Sequence, residues 1–288
     1  MNRLILLLAV MAVAVGCGGA KKSSTATGAA PPPSMTKHRS LDDRMSAGGD
    51  NGNGASSSVT AEEVLRLYVE ATGGRAAYEK LTSRVVKGVF SVPANAIKGP
   101  IELFTQAPNK MYMKATIGSV GTIERGTNGV VVWESNAMTG ARVLKGTERA
   151  TTLLQSTFNA ELKWKTLYKS VELAGSAKVD GSDAYKLVFT SQAGEKETRF
   201  FDKESKLLVK SEAMVKNQMG TINTVTVFSD YREVDGVRVA HKMVTKAVNA
   251  TQVLTMTEVK HNVAIPASRF AIPAKIQKLL DKKPAGTK

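Results

Sequence analysis

One cysteine and three histidines make up the thiol and imidazole chemistry available to this 288-residue chain. The cysteine, Cys17, ends an ordered progression of residue types. Arg3 supplies a positive charge, residues 4–15 (LILLLAVMAVAV) form an unbroken apolar run, and Ala14-Val15-Gly16 leads into the thiol. A run of about a dozen residues is too short to cross a hydrocarbon core, which needs roughly 20. It matches the charged, apolar and small-residue regions of an export signal. With no second cysteine there is no internal disulfide, although an exported domain sits in an oxidising compartment. Cysteine-based zinc or iron–sulfur chemistry is excluded as well. His38 falls in a polar stretch, while His241 and His261 fall in strand-like runs. His241 shares a strand face with Val237, Val239 and Met243, the pattern of a half-buried, hydrogen-bonded histidine. The chain has no HExxH, GxSxG, Walker or dinucleotide-binding glycine pattern. Asp180, Asp183, Asp230 and Asp235 stand at turns, where carboxylates bond local backbone. These residues predict no catalytic site, no metal and no cofactor.

The segment that ends at Cys17 resembles the lipobox of bacterial lipoproteins. The resemblance implies that the Cys17 thiol receives a diacylglyceryl group, that cleavage falls before it, and that the new amino terminus is acylated. Residues 1–16 are then the signal peptide. Each buried methylene contributes about 0.8 kcal/mol, so two or three acyl chains anchor the protein where one alone would bind only marginally. Gly18 and Gly19 follow the cysteine in place of an aspartate. By resemblance to the enterobacterial sorting rule, they imply an outer-membrane location.

Residues 17–58 read as the lipidated cysteine and a tether. The stretch carries Lys21-Lys22, Pro31-Pro32-Pro33 and a glycine/asparagine/serine run over 48–58, with no aromatic residue. It cannot bury enough surface to offset its ordering entropy. As a flexible coil it spans on the order of 35 Å, at about 5–6 Å times the square root of its length.

A folded domain is expected over 59–273. Thr60 followed by Glu63 is a capping box, and Val64, Leu67, Tyr68 and Ala71 recur at helical spacing up to Gly73-Gly74. Ala76, Ala77 and Leu81 suggest one more short turn. Strand texture then runs through 84–92, 98–106, 110–117, 121–126 and 130–136. A helix over 146–160 follows, with Ala150, Leu153, Leu154, Thr157 and Phe158 on one face. Strands resume at 171–179, 184–191, 195–202, 207–216, 221–234, 237–247 and 252–263. Asp235-Gly236 is the signature of a type I′ hairpin. Ile265-Pro266 and Ile272-Pro273 end the sheet, with Phe270 between them as a plug. Residues 274–288 read as a frayed basic tail, in which Ile276, Leu279 and Leu280 could form a last helical turn. The expected fold is mainly β (α+β): a curled antiparallel sheet, an incomplete barrel of about eleven strands closed by helices.

That arrangement resembles the LolA/LolB-like superfamily. The stretches Tyr68-Val69-Glu70-Ala71-Thr72-Gly73-Gly74, Phe201-Asp202-Lys203-Glu204 and Phe228-Ser229-Asp230-Tyr231-Arg232-Glu233-Val234-Asp235-Gly236-Val237 are similar to outer-membrane lipoproteins of that group. The resemblance implies a lipid or acyl chain held in a hydrophobic half-barrel, in lipid or lipoprotein transport or sorting. Inward-alternating Phe90, Leu103, Met111, Met113 and Trp133, with Leu154 and Phe158 from the inserted helix, are the expected lining. Flexible thioethers suit varied apolar ligands and serve equally as core filler. The alternative is a non-catalytic interaction module with a filled core, docking to an envelope protein. The formal charge of +15 suits anionic membrane surfaces and equally a basic surface that simply prevents aggregation. An exported chain without basic-aromatic motifs predicts no nucleic-acid partner. Cys17→Ser should release the protein into the soluble fraction; a variant that still pellets with membranes after a high-salt wash excludes anchoring through this residue.

Overall fold

The computed structural model describes residues 59–118, 121–217, 220–248 and 250–282. The expected signal, Cys17 and the tether lie outside the described residues. The domain starts where the capping box places it. The Thr60 hydroxyl accepts a hydrogen bond from the Glu63 N–H at 3.2 Å, and helix α1 (Ala61–Ala71) buries Val64, Leu65 and Tyr68. A short helix, α2 (Arg75–Glu79), buries Tyr78 beside it.

Six strands follow: β1 (Ser83–Val92), β2 (Ile97–Gln106), β3 (Lys110–Ile117), β4 (Gly121–Thr127), β5 (Val132–Asn136) and β6 (Gly140–Val143). Helices α3 (Gly146–Ser156) and α4 (Trp164–Leu167) interrupt the run. Then come β7 (Tyr168–Val179), β8 (Ser182–Ser191), β9 (Lys196–Asp202), β10 (Leu208–Asn217), β11 (Gly220–Val234), β12 (Val237–Ala247) and β13 (Ala250–His261). All belong to one antiparallel sheet in the order β6-β5-β4-β3-β2-β1-β13-β12-β11-β10-β9-β8-β7. The first and last strands therefore meet in the middle, with Phe90 opposite Leu254. The two edges, β6 and β7, are consecutive in the chain and are bridged by helices.

Among the described residues thirteen strands stand where twelve strand-like runs, and a barrel of about eleven strands, were expected. The strand that sequence patterning passes over is β6, four residues too short for alternation to register, aligned by Trp133 opposite Val143. At the β11–β12 hairpin Asp235 and Gly236 have φ of +52° and +78°, as a type I′ turn requires.

The two faces of the sheet are covered differently. On the inner face Val86 lies opposite Leu103, which lies opposite Met113. These join Phe90, Met111, Phe228, Met243 and Leu254 in one core under Val64, Leu65, Tyr68 and Tyr78. On the outer face the chain end returns over β2 and β3. The Arg269 guanidinium lies 4.5 Å from the Phe104 ring centre, and Phe270 is buried. The segment expected to fray is instead helix α5 (Ala274–Asp281), packed against β6. Pro273 opens it, its carbonyl accepting from the Ile276 N–H at 2.8 Å, and the Ile276 side chain is fully buried. The packing of Ile276 outweighs the lysine-rich composition, while Leu279 and Leu280 stay exposed. Ile276→Ala should cost about 2–5 kcal/mol, read as a lower urea midpoint at unchanged slope; an unchanged midpoint would make residues 274–281 a true tail.

Candidate functional site

Strand register decides which side chains share the interior. Across five neighbouring strands, Arg199 lies opposite Ser211, Ser211 opposite Thr226, Thr226 opposite Thr245, and Thr245 opposite Gln252. All five are at most 4% exposed, so a belt of polar side chains crosses the inner face. The Thr226 and Thr245 hydroxyls are 3.0 Å apart, which satisfies part of the buried hydrogen-bonding demand. At the end of the belt Arg199 donates from Nε to Glu197 Oε1 at 2.8 Å and from Nη2 to the Tyr168 hydroxyl at 2.6 Å. Its guanidinium lies 4.0 Å from the Phe189 ring centre. Burial opposes the Arg199 charge, but Glu197 and Tyr168 outweigh it and hold the group above its usual range.

A second ionic cluster occupies the inner face at the other edge. Met113 lies opposite Arg125, Arg125 opposite Glu134, and Glu134 opposite Arg142. Arg125 Nε donates to Glu134 Oε2 at 2.9 Å. Arg142 donates to Glu134 Oε1 at 3.2 Å and to Glu148 Oε2 at 2.8 Å. Glu148 belongs to the first turn of α3, so this cluster ties the helix to β4–β6. Burial opposes the Glu134 charge, but Arg125 and Arg142 overcome it and hold the carboxyl below its usual range. Further along the helix, Thr151 Oγ1 donates to Glu195 Oε2 at 3.0 Å, beside the β8–β9 turn. Helix α3 is thus a strap fixed at two points.

The strap is mounted with its polar side down. It buries Thr152, Gln155 and Ser156, whereas the expected inward face was Ala150, Leu153, Leu154, Thr157 and Phe158. Thr152 and Ser156 turn their hydroxyls back onto the Glu148 and Leu153 carbonyls, which makes their burial cheap. Leu153 and Leu154 are left half-buried along two adjoining hollows. One, of about 90 Å³, lies between α3 and β8–β11 and is walled by Leu154, Tyr168, Phe189, Leu208, Ala213 and Phe228, with Arg199 and Ser211 among them. The other, of about 280 Å³, is walled by Leu153, Leu154, Thr157, Leu167 and Ser191. Thr151, Leu154, Ser191 and Glu195 border both, so the Thr151–Glu195 bond stands where the two meet.

Of the lining expected from sequence, Leu154 borders both hollows. Phe90, Leu103, Met111, Met113 and Phe158 face inward but pack together in the core, at most 5% exposed. Trp133 is on the opposite face. Tyr112, Gly126 and Trp133 are cross-strand partners with alternate parity to Met113, Arg125 and Glu134. The indole packs 6.1 Å from the Tyr112 ring. A Cβ at Gly126 would lie 2.6 Å from that indole, so glycine makes room for it. Alternation in Val132–Asn136 suggested tryptophan in and glutamate out; the arginines on either side of Glu134 reverse that choice. The residues that sequence reasoning missed are the belt and Arg199, whose only signal was hydroxyls and an arginine at inward strand positions.

No family model and no curated protein matches the chain. Solved structures do match. A LolA superfamily protein from Nitrosomonas europaea aligns at TM-score 0.52 and 13% identity, over 75% of this chain and 99% of its own. A DUF1329 family protein from Desulfovibrio piger aligns at TM-score 0.51 and 14% identity, over 73% and 97%. The fold is LolA-like. An outer membrane lipoprotein-sorting protein domain from Vibrio parahaemolyticus aligns at TM-score 0.49 and 14% identity, over 77% and 100%.

In this LolA-like domain the Glu134 cluster carries a pH signature. A carboxylate held below its unfolded value contributes stability above about pH 4.5 and loses it as pH falls through the folded value. Glu134→Gln should therefore cost about 3–5 kcal/mol at pH 7, with the deficit shrinking below pH 4. Urea midpoints of both proteins at pH 7 and pH 3 check this; an equal deficit at both would remove the ionised carboxylate from the account.

Proposed function

We propose that this chain is an outer-membrane lipoprotein, anchored through Cys17, that holds an acyl chain or similar amphiphile between α3 and the β8–β11 wall. The observation that carries the reading is the orientation of α3. A helix with two adjacent leucines buries threonine, glutamine and serine and leaves those leucines bordering unfilled space. Half-buried apolar side chains facing a hollow gain from any apolar occupant, at roughly 25 cal/mol per Å² covered. An apolar pocket with a few placed polar groups is the usual form of a small-molecule site. The LolA-like fold supports the same reading, since carriage of lipid or lipoprotein is what that resemblance implies.

The dimensions refine the proposal. A cavity of about 150 Å³ accommodates benzene, so the larger hollow accepts one apolar arm with the strap in place. A longer chain requires the Thr151–Glu195 contact to open and join the two spaces. The bound group lies on the α3 side of the polar belt, because the other side is occupied by Phe90, Leu103, Met111 and Met113. That filled half is also what favours the second reading, an interaction module docking to an envelope protein. The occupant separates the two.

Full-length protein stripped of endogenous lipid should take up a fluorescent fatty-acid probe. Leu154→Asp should weaken uptake at least tenfold with an unchanged far-ultraviolet spectrum, whereas Val130→Asp, at a site 67% exposed, should not change it. If wild-type protein takes up no probe, the interaction-module reading stands in its place.

A further inference from the structure

Two stretches picked out in the sequence, residues 68–74 and 228–237, touch the hollows only through Phe228, and the fold brings them together. The Gly236 carbonyl oxygen sits 2.1 Å from where a Gly73 Cβ would be. The Arg238 N–H donates to the Thr72 carbonyl at 2.9 Å. Beside this junction is a narrow cleft lined by Tyr68, Tyr78, Arg84, Tyr231 and Arg238, among others. Its volume of about 10 Å³ is the space of one small group.

Arg84 enters the cleft from the inner face of β1. Its Nε donates to His261 Nε2 at 2.9 Å. His261 Nδ1 in turn donates to Asp235 Oδ2 at 3.1 Å, and the same oxygen accepts from the His261 backbone N–H at 3.3 Å. Nε2 accepts only when the ring is neutral. Burial, reinforced by the Arg84 charge, pulls His261 down to about 4, so the ring is neutral at physiological pH. The relay Asp235–His261–Arg84 therefore grips the guanidinium by Nε, in a residue that lines the cleft and whose guanidinium carbon lies 5.7 Å from the Phe158 ring centre. Among the described residues neither Nη has a hydrogen-bond acceptor, and no carboxylate pairs with Arg84 or with the exposed Arg238. Burial lowers the Arg84 pKa, the expected result for a cation lacking a counter-charge.

A guanidinium held by Nε presents its two Nη groups as a fork that matches two oxygens of one anion. We propose that the cleft binds an oxyanion, a carboxylate or phosphate group, on the Nη fork of Arg84 with Arg238 at the mouth. The cleft has room for about one oxygen; the second oxygen and the rest of the ligand lie at the mouth, beside Arg238. Phe228 borders both this cleft and the smaller hollow, so the anion is either free or the acid head of an amphiphile. The site stands without the acyl-chain reading.

The test titrates the full chain with inorganic phosphate at ionic strength held constant with chloride. The thermal midpoint of the wild type should rise saturably at millimolar phosphate, well below the concentrations at which phosphate stabilises proteins by exclusion. Arg84→Gln should abolish the saturable part. If that variant fails to fold, Arg238→Gln, at an exposed position, should still reduce the apparent affinity several-fold. A fatty-acid probe and its methyl ester distinguish the sources. Displacement of the acid but not the ester by phosphate assigns the cleft to a lipid head group, and a saturable phosphate response without displacement assigns it to a free anion. A wild-type midpoint that responds to phosphate no more than Arg84→Gln does overturns the proposal, whether or not the probe is taken up.

Discussion

The rest of the structure depends on a thirteen-strand sheet whose edges do not meet. Strands β6 and β7 follow one another in the chain and end the sheet on opposite sides, so the chain itself must cross the gap. It does so with α3, and the crossing is held by polar contacts: Arg142 to Glu148 at one point, Thr151 to Glu195 at the other. Apolar packing would have closed the same gap more tightly but would have filled it. A strap secured by charge and hydroxyl pairs spans the opening while leaving space beneath its leucines.

Buried charge is the cost of that arrangement, and it is distributed with care. Glu134 is shared between Arg125 and Arg142, and Arg199 is matched by Glu197. The buried arginines Arg125 and Arg199 beside the hollow thus each face a carboxylate. Such pairs contribute little net stability compared with apolar side chains of similar volume, whereas breaking one is expensive. Their effect here is positional. They fix which face of β5 turns inward, and they hold the α3 register against the sheet. The inner face is divided accordingly, with a packed core under α1 and α2 on one side of the belt and hollow space under α3 on the other.

Much of this was legible in the residues. The capping box at Thr60, the helix stop at Gly73, the hairpin at Asp235-Gly236 and the meander itself follow from local rules, and those rules suffice for a curled sheet with a helical insertion. The site was less legible because it violates the rule used to find it. Apolar alternation assigns Trp133 inward and Glu134 outward, yet pairing with arginines from the two neighbouring strands reverses both. The helical pattern places Leu154 on a hollow, where it lies, but gives Phe158 the same role, and Phe158 is packed in the core. Met111 and Met113 do face inward as alternation says, but facing inward does not distinguish filler from lining. That distinction depends on what opposes them, which is α1 in one half of the interior and a strap in the other. The terminal helix shows the reverse: lysines dominate the composition of residues 274–288, but one isoleucine with a place to pack is enough to make 274–281 a helix.

Arg84 completes the pattern by being its exception. Every other arginine on the inner face has a carboxylate of its own, so an anion approaching Arg125, Arg142 or Arg199 must displace a partner already in place. At Arg84 the only acceptor is a neutral imidazole, which orients the guanidinium without neutralising it. Apolar surface at α3 and the buried Arg84, which has no carboxylate among the described residues, thus lie at two places in the interior, with Phe228 common to the walls of both. On the proposed reading, an amphiphile with an acid head would lie with its chain toward α3 and its head toward Arg84, an orientation set by which arginine the fold has left without a carboxylate.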